Sequence, residues 1–163
     1  MPETELYLED FKVGEAFRRG SFRMETDAIT RFAAEFDPQP FHLNPTAAAM
    51  SFFGGLVASG WHTAAATMRL LVEGGLPGAG GVGGVGGDEI CWPRPVRPGD
   101  SLSVETEILK VRPSRSDPKI GLLKVRIRTI KQNGEEVQVA VANILAPARA
   151  ISNEQTASFR RLL

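Results

Sequence analysis

The chain is poor in the residues that build disulfides and metal sites. It has one cysteine, Cys91, and two histidines, His42 and His62. A lone cysteine excludes an internal disulfide, so a reducing, cytoplasmic setting is the expectation. These three side chains are too few soft ligands for a conventional zinc site. Net charge is also missing. Nineteen Lys+Arg balance 19 Asp+Glu, whereas a general nucleic-acid binder needs a basic excess. No apolar run is long enough to span a bilayer. Neither nucleic acid nor membrane is therefore an expected partner. The stretch from Met1 to Asp10 is acidic and lacks a signal-peptide pattern.

What is present suits an ordinary globular protein. Of 163 residues, 42% are hydrophobic and 23% charged, which suits one domain with a sizeable core. We place that domain at residues 1–150, with a loose C-terminal tail at 151–163.

The first half reads as helical. Thr26 is a plausible N-cap, with Asp27 in the first turn, where a negative charge suits the helix dipole. Ile29, Phe32, Ala33 and Phe36 then form one apolar stripe. Asp37-Pro38 ends that helix, because the residue before a proline disfavours helical geometry. Asn44-Pro45 opens a short helix to Met50. From Gly60 to Glu73 the pattern is apolar nearly all round, as in a buried helix. The glycine-rich run from Gly74 to Gly87 predicts no regular element. It lacks the Gly-Lys-Ser/Thr ending of a phosphate loop.

The second half alternates with period two. Leu102 to Ile108, Leu123 to Arg128 and Val137 to Ala142 are strands with one core face each, Val137, Val139 and Val141 forming that of the last. Asn133-Gly134 is a strong hairpin signal. Phe17 to Met24 and Glu89 to Trp92 are weaker strand candidates, and Cys91 reads as a buried, inert thiol. The expected class is α+β: about four or five mostly antiparallel strands wrapped over one long apolar helix.

Two segments could carry chemistry. In Asp37-Pro38-Gln39-Pro40-Phe41-His42 an acid and an imidazole lie five positions apart, in a bend whose prolines lower the entropy cost of holding both side chains. Imidazole titrates near neutrality, and a carboxylate can act as base or orient it. In Ala58-Ser59-Gly60-Trp61-His62, a helix beginning at Gly60 would present free N–H groups to a thioester carbonyl or its enolate. Ser59 reads as an N-cap and His62 as structural. A hydrolase nucleophile at Ser59 is disfavoured, because the Gly-x-Ser-x-Gly elbow is missing. Lys124, Arg126 and Arg128 could meet a ligand phosphate, but a solvated strand face is the simpler reading.

With these residues the chain resembles the MaoC-like dehydratases, which include (R)-specific enoyl-CoA hydratases of the hot-dog fold. Asp37 to His42 is similar to the family's Asp-x-Asn-Pro-x-His motif, with Gln39 in place of asparagine. His42-Leu43-Asn44-Pro45, Ala58-Ser59-Gly60 and the Trp92 to Asp100 turn extend the likeness over about Phe11 to Leu145. The resemblance implies a single hot-dog domain, a curved antiparallel sheet around one long central helix, paired as a homodimer or higher homo-oligomer. It implies that Asp37 and His42 activate water for addition to a 2-enoyl thioester, that the Gly60 N–H polarises the carbonyl, and that coenzyme A enters as part of the substrate, in fatty acid metabolism, with no separate cofactor or metal. A hot-dog acyl-CoA thioesterase and a non-catalytic acyl-thioester-binding subunit remain as alternatives.

Overall fold

A computed structural model describes residues 6–76 and 83–149; the expected tail at 151–163 lies outside the described residues. Helices α1 (Thr26–Phe36), α2 (Pro40–Leu43), α3 (Pro45–Ala49) and α4 (Gly60–Leu70) lie between the first two of five strands: β1 (Ala16–Arg23), β2 (Gly83–Cys91), β3 (Ser101–Pro113), β4 (Ile120–Lys131) and β5 (Glu136–Pro147). The strands form one curved antiparallel sheet in the order β1-β3-β4-β5-β2. The result is the hot-dog α+β architecture, with α4 as the central helix.

Strand alternation places Leu102, Val104 and Ile108 of β3 and Leu123, Val125 and Ile127 of β4 in the core. The opposite face of β4 is charged. Lys124 pairs with Asp88, Arg126 with Glu107, and Arg128 with Glu105 and Glu136. It is the solvated strand face that the alternation predicts.

β5 departs from its sequence pattern. Thr129 pairs with Gln138 but Ile130 pairs with Glu136, so Val137 is an extra residue. A bulge shifts side-chain phase by one position. Val137 and Gln138 are both buried, and beyond them Ala140, Ala142 and Ile144 face the core instead of Val139 and Val141.

Other expectations are also corrected. Thr26 is the first residue of α1, and Glu25 is its N-cap. Phe36, expected on the apolar stripe of α1, is exposed. The second half of the glycine-rich run is not irregular. Residues 83–87 begin β2, while 77–82 lie outside the described residues. Cys91 is exposed, because β2 is an edge strand with every residue open to solvent. The apolar pattern from Gly60 is not buried all round. His62, Thr63, Ala66, Thr67 and Leu70 face inward, but Trp61, Met68 and Val72 are exposed. Regular α-helix ends at Leu70 and passes into a widened turn, Leu71–Gly75, in which Gly74 takes φ +112°.

Candidate active site

The acid and the imidazole meet as their spacing suggests, though not in an irregular bend. Asp37 closes α1, its N–H donating to the Ala33 carbonyl oxygen at 2.9 Å. Pro40 then starts the one-turn helix α2, where its missing N–H costs nothing. His42 therefore projects from a helical turn. Its Nε2 lies 3.3 Å from Asp37 Oδ2. Its Nδ1 lies 2.7 Å from the carbonyl oxygen of Val57.

That carbonyl decides the tautomer. A carbonyl oxygen only accepts, so Nδ1 carries a proton and Nε2 is the nitrogen turned to Asp37. In the neutral ring Nε2 is then an acceptor opposite an acceptor. The pair can share a proton, or hold a water that gives one hydrogen to each.

The surroundings keep Asp37 ionised. Burial pushes its carboxyl up, but hydrogen bonds from the Ser59 hydroxyl and the Gln39 amide, with the attraction of His42, outweigh burial and hold it below its ordinary value. Gln39 Nε2 donates to Asp37 Oδ1 at 2.7 Å. Sequence reasoning left Gln39 outside the reacting set; its contact makes it the residue that occupies the second carboxylate oxygen.

Ser59 caps α4 as expected, its Oγ accepting from the Trp61 N–H at 3.2 Å. The approach to the cap is held from both sides. Val57 N–H donates to the Phe41 carbonyl oxygen at 3.3 Å, and Ala58 N–H to that of Val96 at 2.8 Å. Gly60 follows as the first helical residue, and among the described residues nothing accepts from its N–H. Its lack of a side chain is required. A Cβ at position 60 would stand 2.8 Å from ring atoms of Trp92.

Asp37, His42 and Gly60 line one cleft of about 490 Å³. Its walls include Phe41, Phe52, Phe53, Trp61, Trp92 and Arg94, none of which the sequence marked as a site residue. Phe41, Phe52 and Phe53 pack with ring centroids 4.3 to 5.8 Å apart. An apolar cleft with a few convergent polar groups is the usual form of a small-molecule site. His62 is apart from it in role. The ring is buried and stacks on Phe32 at 4.6 Å, and its Nδ1 has no partner among the described residues. Among the described residues, no three His, Cys, Asp or Glu side chains gather as they would around a metal ion, and no helix is long and apolar enough to cross a membrane.

Residues 10–129 match the MaoC like domain. The chain is 35% identical over 132 residues to the protein YdeM of Bacillus subtilis (strain 168), covering 81% of this chain and 91% of that protein. Among solved structures it is similar to a MaoC-like dehydratase from Rhodospirillum rubrum, with a TM-score of 0.85 and 51% identity over 90% of this chain and 99% of that one. It is also similar to the R-hydratase PhaJ1 from Pseudomonas aeruginosa, with a TM-score of 0.67 and 27% identity over 89% and 88% of the two chains.

Proposed function

The chain belongs to the MaoC-like dehydratase family, a family of hydratases and dehydratases, and from that premise we propose that it reversibly adds water to a 2-enoyl thioester, most simply of coenzyme A. The observation that carries the reading is the convergence of Asp37 Oδ2 and His42 Nε2 at 3.3 Å, in a cleft that Gly60 also lines.

The chemistry follows from that pair. A water held by the Asp37 carboxylate and His42 Nε2 presents its lone pair to the substrate's β-carbon and loses a proton to one of them. Its oxygen bonds to the β-carbon while the C=C electrons move onto the thioester oxygen. The Gly60 N–H, at the positive end of α4, stabilises the enolate that forms. The proton taken from water is then delivered to the α-carbon, completing addition of H and OH. The reverse sequence is dehydration. The scheme calls on no cofactor, because the thioester itself makes the α-carbon acidic.

The working unit in this reading is a homo-oligomer, at least a dimer. β2 is the last strand of the sheet and its nine residues are all exposed. α4 leaves Trp61 and Met68 59% and 46% exposed, and the widened turn after it leaves Val72 64% exposed. Among the described residues the outer edge of β2 is unpaired, and an open strand edge together with an apolar helix face fits a second copy of the same surface.

The test is hydration of crotonyl-CoA, read as loss of the conjugated thioester absorbance. Asp37→Asn and His42→Ala are each expected to lower kcat by about 10²–10⁴-fold, the usual worth of a positioned acid or base. Near-parental turnover in both variants would sink the mechanism. Release of free thiol without hydration would assign the site to thioester hydrolysis instead.

A further inference from the structure

A chain of hydrogen bonds, buried except at its Trp92 end, runs from the central helix to the wall of the cleft. Trp92, just beyond β2, donates its indole Nε1–H to Gln138 Oε1 at 2.8 Å. Gln138 Nε2 donates to Thr67 Oγ1 at 3.3 Å. Thr67 donates its own hydroxyl to the Thr63 carbonyl oxygen at 2.8 Å and lies 2.6 Å from Thr129 Oγ1. Gln138, Thr67 and Thr129 are 3%, 3% and 0% exposed.

The direction of every bond is fixed. An indole N–H only donates, so the Gln138 oxygen faces Trp92 and its NH₂ faces Thr67. The single Thr67 proton is spent on Thr63, so Thr129 donates to Thr67. Burying a glutamine among apolar strands costs free energy unless its groups are satisfied. Here the bulge at Val137 turns it inward, and its oxygen ends on a residue of the cleft.

What the chain holds in place is the indole. Its ring fills the space beside Gly60, where a Cβ would come 2.8 Å from Cδ2 and Cε2. Trp61 meets it edge-on at 5.2 Å. Gln138 does not line the cleft, whereas Trp92 does.

We propose that Trp92 is a specificity-determining residue and Gln138 its positioning residue: the indole, pinned against Gly60, walls the carbonyl end of the cleft and refuses thioesters branched at the α-carbon. The inference rests on the thioester reading of the site. In that reading the carbonyl sits at the Gly60 N–H, beside the indole, so a branch on the α-carbon bonded to it comes within reach of the wall. Straight-chain thioesters pass, and α-methyl thioesters meet the ring.

The experiment compares crotonyl-CoA with its 2-methyl analogue, tiglyl-CoA, in the parent, Trp92→Ala and Gln138→Leu. Discrimination by one methyl group against a rigid wall is worth about 10–200-fold. The parent is expected to favour crotonyl-CoA in kcat/KM within that range. Trp92→Ala should bring the two substrates close to parity, and Gln138→Leu should loosen the preference partway and shift indole emission. Trp92→Phe, which keeps an aromatic wall, serves if the alanine variant does not fold. It should weaken the preference without abolishing it. In parallel, dissociation constants for butyryl-CoA and isobutyryl-CoA read the same wall without chemistry. An unchanged binding ratio between the parent and Trp92→Ala overturns the inference. A parent that discriminates between these two in binding but hydrates neither enoyl substrate overturns the hydratase reading alone.

Discussion

The Nδ1 of His42 reaches the carbonyl oxygen of Val57, fifteen residues away in sequence, at 2.7 Å. This contact aims Nε2 at Asp37, and α2 alone could not supply it. Residue 57 belongs to the connecting segment held between Phe41 and Val96 by backbone hydrogen bonds. The geometry of the imidazole therefore depends on the packing of that segment as much as on the motif that carries His42.

The acid limb of the pH profile should respond to Gln39. The Asp37 carboxyl is held below its ordinary value, against burial, by Ser59, Gln39 and His42. Activity that needs the carboxylate is present above its pKa and lost as pH falls through it, below the ordinary aspartate value of about 3.9. Gln39→Leu removes one donor, so that limb should move to higher pH while turnover at neutrality changes little. kcat measured from acid to neutral pH checks this; an unmoved limb would show that Gln39 does not hold the carboxylate.

Gly60→Ala should be costly, and the cost should depend on Trp92. The added carbon would collide with the indole, and overpacking of this kind typically costs about 1–3 kcal/mol. In the Trp92→Ala background the same substitution should cost less. Urea unfolding of the two single variants and the double variant closes the cycle, and strict additivity would contradict the contact.

Stability should fall as the medium is acidified through the histidine range. Burial, reinforced by the Arg31 charge, holds His62 below its ordinary value. The unfolded chain therefore takes up a proton at a pH where the folded chain does not. The stability is complete above about pH 6.5 and declines as pH falls below it. In His62→Asn the difference between urea unfolding at pH 7.5 and at pH 5.5 should shrink.

Asn44 should contribute about 1 kcal/mol through its cap. Its Oδ1 accepts from the N–H groups of Thr46 and Ala47 at 2.8 and 3.1 Å, at the start of α3. Asn44→Ala should lower the unfolding free energy measured in urea by that amount, and Asn44→Asp should restore most of it.

Self-association should depend on the open face of α4. A charged residue at Met68, as in Met68→Glu, should shift the protein toward monomer in light scattering. A parent that is monomeric at working concentration would remove the basis for pairing.

Part of this fold is written in chemistry between near neighbours along the chain. The Ile29 and Ala33 face of α1, the Asn44-Pro45 start of α3, the Ser59 cap and the alternation of β3 and β4 all follow from side chains a few positions apart. The same local logic marked Asp37, His42 and Gly60, because two prolines and a helix-start glycine leave their signature in the chain. It failed where alternation was interrupted. One extra residue at Val137 reverses the phase of β5, and nothing in the alternating valines announces it. The apolar pattern of α4 could not say which side the sheet covers.

Only the tertiary structure brought the distant groups together. Phe52, Phe53 and Trp92 become the walls of one cleft because three separate segments converge on the start of α4. The Trp92–Gln138–Thr67 chain joins the turn after β2 to β5 and α4, residues up to 71 positions apart. Gln138 can take part only because the bulge turns it inward. Hydrogen bonds of this kind have no local period to read, since they are set by which strands pair and in what register.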